Sequence, residues 1–153
     1  MAGLFGYGRL TPVSYAGDIT PEETWKLLSE NSEAVLVDCR TDAEWRFVGA
    51  PDLSSLDRDV IYVEWNRTDG SHNDAFVDDL FEKMRASGVT PGERPVAFLC
   101  RSGNRSIGAA EAATAAGIAP SYNILDGFEG NLDENRHRGT TGWKAVGLPW
   151  KQS

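Results

Sequence analysis

The run Pro95–Cys100, PVAFLC, ends in a thiol. The six residues that follow, RSGNRS, hold two arginines, one glycine and three small polar side chains, and an alanine-rich segment begins after them. The apolar run reads as a buried strand and the alanine-rich segment as a helix. Cys100 therefore stands where a strand hands over to a helix. Successive backbone N–H groups in such a turn can converge on one point. The first turn of the helix adds unsatisfied N–H groups and the positive end of its dipole. Arg101 and Arg105 add full charges, and Gly103 permits an unusual dihedral or a close approach. Such surroundings favour thiolate over thiol. The chemistry they allow is nucleophilic attack by sulfur, with no histidine base required. A buried structural cysteine at a strand end is the plainer alternative, since buried cysteine is common. The polar, cationic segment that follows sets Cys100 apart from it.

Other elements must place that turn. Ala34–Arg40, AVLVDCR, reads as a strand covered on both faces, and Val60–Trp65 as a weaker one. Thr20, Pro21 and Glu23 form a helix start with a capping box. Asp74–Gly88 carries Phe76, Val77, Leu80, Phe81 and Met84 at helical spacing. Asn104–Gly117 is the next helix, and Tyr122–Leu125 a last strand before a turn at Asp126–Gly127. Strands alternating with helices imply parallel pairing through right-handed crossovers. The expected fold is α/β: a small, mostly parallel sheet of about five strands with helices on both faces. Ligands collect at the carboxyl ends of such strands, where Asp38, Arg40 and Cys100 all fall. Residues 1–14 read as an N-terminal arm and 15–153 as one domain.

The net charge of −8 makes nucleic acid and anionic membranes poor partners. No run approaches the ~18–20 apolar residues of a membrane span. The N-terminus lacks the charged and apolar regions of a secretory signal, so the cytoplasm is the expected compartment. Two cysteines, Cys39 and Cys100, do not make a disulfide scaffold or a zinc site on their own.

The segment CRSGNRS resembles the active-site loop of the rhodanese-homology sulfurtransferases. Two further segments extend the likeness. VLVDCRTDAEWRFVGAPD is similar to that family's strand bearing Asp-x-Arg, with Glu four residues on, here Asp38, Arg40 and Glu44. NILDGFEGN and GWKAVGLPW resemble its closing strand, turn and ending. The segment Arg136–Thr141 is an insertion relative to the shortest members.

The resemblance implies a rhodanese-like fold and a persulfide mechanism with no cofactor and no metal. Cys100 would attack a small anionic sulfur donor such as thiosulfate. The resulting persulfide would pass its outer sulfur to a thiophilic acceptor such as cyanide or a thiol. Arg101, Ser102, Gly103, Asn104, Arg105 and Ser106 would bind the substrate, their N–H groups stabilising the anion. Arg101 would hold the donor, while Arg105 folds back to fix the loop. Asp38 and Arg40 would support the site through ion pairs or hydrogen bonds. Glu44 would pair locally or support a short helix.

Related phosphatases and arsenate reductases use C-x5-R, a wider ring suited to a tetrahedral oxyanion. Cys100 to Arg105 is the shorter C-x4-R, so those activities rank lower. A second expectation is a rhodanese-like sulfur carrier, sensor or protein-binding module with little turnover. Cys39 reads as a small buried strand residue. A disulfide to Cys100 would need their Cα atoms within about 7 Å.

Overall fold

The computed structural model describes residues 14–153. The expected arm over 1–14 therefore lies, Ser14 apart, outside the described residues. In chain order the elements are β1 (Gly17–Ile19), α1 (Pro21–Glu30), β2 (Val35–Asp38), α2 (Asp42–Phe47), β3 (Ala50–Pro51), β4 (Ile61–Tyr62), α3 (Phe76–Ala86), β5 (Glu93–Leu99), α4 (Arg105–Ala115), β6 (Ala119–Ile124) and β7 (Trp150–Lys151). Five strands form one sheet in the order β1-β6-β5-β2-β4, and every pairing in it is parallel. The expected α/β class is the observed one.

Strand parity divides the core in two, because successive side chains point to opposite faces. Val35, Val37, Val96 and Phe98 pack with Leu80 and Met84 of α3 and with Ala109, Ala110 and Ala113 of α4. Leu36, Ala97 and Leu99 pack on the other face with Leu28 of α1, Phe128 and Trp143. Full burial of each large apolar side chain is worth about 1.5–3 kcal/mol. Cys39 and Cys100 share the first of these faces. The register pairs Asp38 with Leu99, so β2 and β5 end level with each other. That alignment brings both cysteines to the carboxyl edge of the sheet.

Several elements differ from the sequence reading. The α1 capping box forms as expected, with Thr20 and Glu23 each accepting the other's backbone N–H. The Val60–Trp65 strand shortens to Ile61–Tyr62; beyond it Val63 and Trp65 still donate to Asp38 O and Cys39 O before a turn closed by an Asn66–His72 bridge. The last strand begins at Ala119, three residues earlier than expected. The strand β1 lacks a distinctive apolar run and is placed by its pairing with β6. Strands β3 and β7 form a separate antiparallel pair that ties the chain end beside α2. No helix among the described residues is long and apolar enough to cross a membrane.

Candidate functional site

Cys100 follows directly on β5 and is 1% exposed. Its Sγ accepts the Gly103 N–H at 3.2 Å and the Ser106 N–H at 3.4 Å, and lies 3.1 Å from Ser106 Oγ. Ser106 sits in the first turn of α4, where N–H groups lack partners inside the helix. A capping side chain ordinarily takes such an N–H. Asn104 holds the cap position but makes no capping bond, and the cysteine sulfur takes the donor in its place. The helix dipole adds a positive field at the same point.

Glycine is required twice to bring the chain this close. Gly103 has φ +93°, and a Cβ there would stand 3.1 Å from Asp126 N and 3.2 Å from Ile124 O. Gly127, at φ +58°, packs so tightly beneath the loop that a Cβ would collide with Cys100 O and the Arg101 carbonyl. The loop is also pinned from below by Phe128 N–H donating to Cys100 O at 2.9 Å and Glu129 N–H to Arg101 O at 3.0 Å.

The remaining loop residues divide by exposure. Arg101 and Asn104 are exposed, Ser102 is half-buried, and Gly103 and Ser106 are buried. Arg105 folds back from the loop, donating from Nη1 and Nη2 to the two carboxylate oxygens of Glu44 at 2.9 and 3.0 Å. Burial works against the charge of each partner. Their mutual contact outweighs it, so the Glu44 carboxyl lies below its ordinary range and the Arg105 guanidinium above its own. Glu44 also completes a capping box with Thr41 at the start of α2. It thus serves both the expected short helix and a partner far along the chain.

Asp38 and Arg40 form a fully buried pair. Arg40 Nη2 donates to Asp38 Oδ2 at 2.7 Å and to Gly49 O at 2.8 Å, and the guanidinium lies 4.2 Å from the Phe128 ring centroid. Burial disfavours the Arg40 charge, but Asp38 holds the guanidinium above its ordinary value. These residues join the turn after α2 to the layer under the loop. Cys39 donates its S–H to Leu99 O at 3.3 Å. Burial, with the neighbouring Cys100 and Asp38, pushes its thiol well up. Cys39 is a neutral core thiol beside Cys100. His72 approaches Asn66 Oδ1 at 3.1 Å and lies edge-on to Trp65. The segment Arg136–Thr141 packs under the 126–130 turn, with Arg138 donating to Gly130 O at 2.7 Å.

Asn123 and Asp18 escaped the sequence reading. Asn123 is 1% exposed on β6, and it bonds Ser106 Oγ, Gly103 O and Asp18 Oδ1. The available signal was an asparagine inside the apolar run YNIL, since a buried polar side chain needs partners.

The family model described as STR4 middle domain matches residues 17–153. This chain belongs to the STR4 middle domain family. Among solved structures, the crystal structure of Rv0390 from M. tuberculosis is 64% identical, with a TM-score of 0.82 over 92% of this chain and all of that one. The polysulfide-sulfur transferase homodimer of Wolinella succinogenes is 25% identical, with a TM-score of 0.55 over 89% of this chain and 78% of that one. An uncharacterized protein of Rickettsia conorii is 37% identical over 88% of this chain and 96% of its own length. A rice chloroplast protein named thylakoid rhodanese-like is 27% identical over 88% of this chain, which spans a quarter of that protein. This member of the STR4 middle domain family is therefore rhodanese-like in fold, with distant likeness to a sulfur transferase.

Proposed function

We propose that the protein is a sulfurtransferase that carries sulfane sulfur on Cys100. The observation that carries this reading is the pair of N–H groups, from Gly103 and Ser106, aimed at one sulfur at the head of a helix. In the first step the Cys100 thiolate attacks the outer sulfur of thiosulfate. A Cys–S–S⁻ persulfide forms and sulfite leaves with the electron pair of the broken S–S bond. In the second step cyanide or a thiolate attacks the outer sulfur and returns the Cys100 thiolate. Two separate displacements predict ping-pong kinetics. Arg101, exposed and next to Cys100 in the chain, is the group to meet an anionic donor. Arg105, already held by Glu44, positions the loop.

The test is incubation with thiosulfate followed by cyanide. Thiocyanate should form in the wild type and be lost in Cys100→Ala. Failure of the wild type to form a persulfide with any of thiosulfate, polysulfide or a glutathione persulfide would remove the reading.

One observation favours a second role. Cys100 is almost fully covered, and a cavity of about 590 Å³ lies by Glu93 and Ala119, at the opposite end of β5 and β6. A covered sulfur suits a carrier that waits for a partner. A stable mass increment of one sulfur on Cys100, without thiocyanate, distinguishes that role. The short C-x4-R ring keeps phosphatase and arsenate reductase chemistry below both.

A further inference from the structure

Asn123 Nδ2 donates to Asp18 Oδ1 at 3.0 Å and to Gly103 O at 3.2 Å. A carboxylate and a carbonyl can only accept. The amide is therefore held with its nitrogen toward them and its oxygen toward Ser106. Asn123 Oδ1 has no hydrogen to give, so the Ser106 hydroxyl donates to it. A hydroxyl has one hydrogen. Ser106 Oγ accordingly turns a lone pair toward Cys100 Sγ and accepts the S–H. Donation runs in one direction, from Cys100 to Ser106 to Asn123 to Asp18.

We propose that Asp18 and Asn123 are positioning residues that keep the Ser106 hydroxyl turned away from the Cys100 sulfur. The chain of bonds is complete only when Cys100 carries its proton. A thiolate cannot donate to Ser106. To stabilise it, the hydroxyl must turn toward sulfur and leave Asn123 Oδ1 without a donor, a buried acceptor then unpaired. The N–H groups of Gly103 and Ser106 pull the other way. The other charged or titratable groups around the sulfur are Cys39 just past β2, Arg101 in the loop, and Arg105 of α4 with its partner Glu44 from α2. None of these hydrogen-bonds the Ser106 hydroxyl, whose partners are Cys100 and Asn123. Asp18 is exposed on β1, where it also accepts the Tyr15 hydroxyl at 2.9 Å. A surface carboxylate thus reaches the buried nucleophile through two side chains.

The inference rests on Cys100 being the nucleophile of the proposed function. Its test needs neither a donor nor turnover, so the two can fail separately. The measurement is the initial rate of Cys100 alkylation by iodoacetamide in the full chain, at one neutral pH, with the site read by peptide mass. Asp18→Ala should accelerate it about threefold, because the Ser106 hydroxyl is then freer to turn toward the sulfur. Asp18→Asn, which keeps an acceptor oxygen but no charge, should hold the wild-type rate. In a Ser106→Ala background, Asp18→Ala should change nothing, because the coupling passes through that hydroxyl. An unchanged or slower rate in Asp18→Ala overturns the proposal. So does equal acceleration by Asp18→Asn, which would report only the lost charge, or acceleration that persists without Ser106. Thermal melts of each variant separate these outcomes from unfolding.

Discussion

Arg105 and Glu44 are 61 positions apart and meet as two parallel N–H···O contacts, 2.9 and 3.0 Å long. The pair ties the head of α4 to the head of α2. The residue after the loop's glycine and asparagine is therefore committed to a structural partner, leaving Arg101 as the exposed cation of the loop.

Glu44→Gln should lower stability by about 1 kcal/mol at pH 7, the scale of a half-buried pair still screened by solvent. Arg105→Lys should lose a similar amount despite keeping its charge, because an ammonium cannot make the two-pronged contact. Urea denaturation of the three proteins measures both.

The same pair has a pH signature. The folded Glu44 carboxyl lies below its ordinary value, so the folded state holds that proton less tightly than the unfolded state. Its contribution is full above the unfolded carboxylate value, about 4.3. It is lost as pH falls through the lower folded value. The stability gap between wild type and Glu44→Gln should close in that acid window and stay constant from pH 6 to 8. A gap that widens on acidification contradicts this assignment.

Gly127→Ala should cost about 2 kcal/mol or more. The new methyl must occupy a left-handed backbone position and displace Cys100 O and Arg101. Thermal melting reports the stability loss. Persulfide loading, followed by mass, should fall as well, because the displaced carbonyls belong to the loop.

Asp38→Asn leaves the Arg40 charge buried with no counter-ion. Breaking one side of a buried pair typically costs about 3–5 kcal/mol. Cys100 remains in the variant, so any folded fraction should still load sulfur. A melt unchanged within error would show that the pair does not hold this part of the fold.

Cys39→Ala should cost about 1 kcal/mol for a small lost side chain while leaving persulfide formation on Cys100 in place. In the wild type, a thiol reagent at neutral pH should label Cys100 and spare Cys39, whose proton is held by burial. Labelling of Cys39 first, or recovery of a Cys39–Cys100 disulfide under mild oxidant, would give Cys39 a redox role.

Local patterns were legible in the chain. The apolar runs of β2 and β5, the Thr20–Glu23 cap and the helical spacing of α3 depend on contacts within a few residues, so their types and order sufficed. The cysteine at a strand end followed by RSGNRS marked the candidate site for the same reason. Partners distant in sequence were not legible. Glu44 meets Arg105, and Asn123 bridges Asp18 and Gly103, only because parallel strands from separate parts of the chain end level with one another. Short strands such as β1 and β7 lack a pattern of their own and exist by pairing. The sequence by itself determined which thiol is the candidate nucleophile and which fold class carries it, since both follow from side-chain type and near-neighbour spacing. Only the tertiary structure decided which arginine pairs with Glu44, which cysteine gives its S–H to a backbone carbonyl and which receives backbone N–H groups, because those depend on burial and on the direction of groups brought together from across the chain.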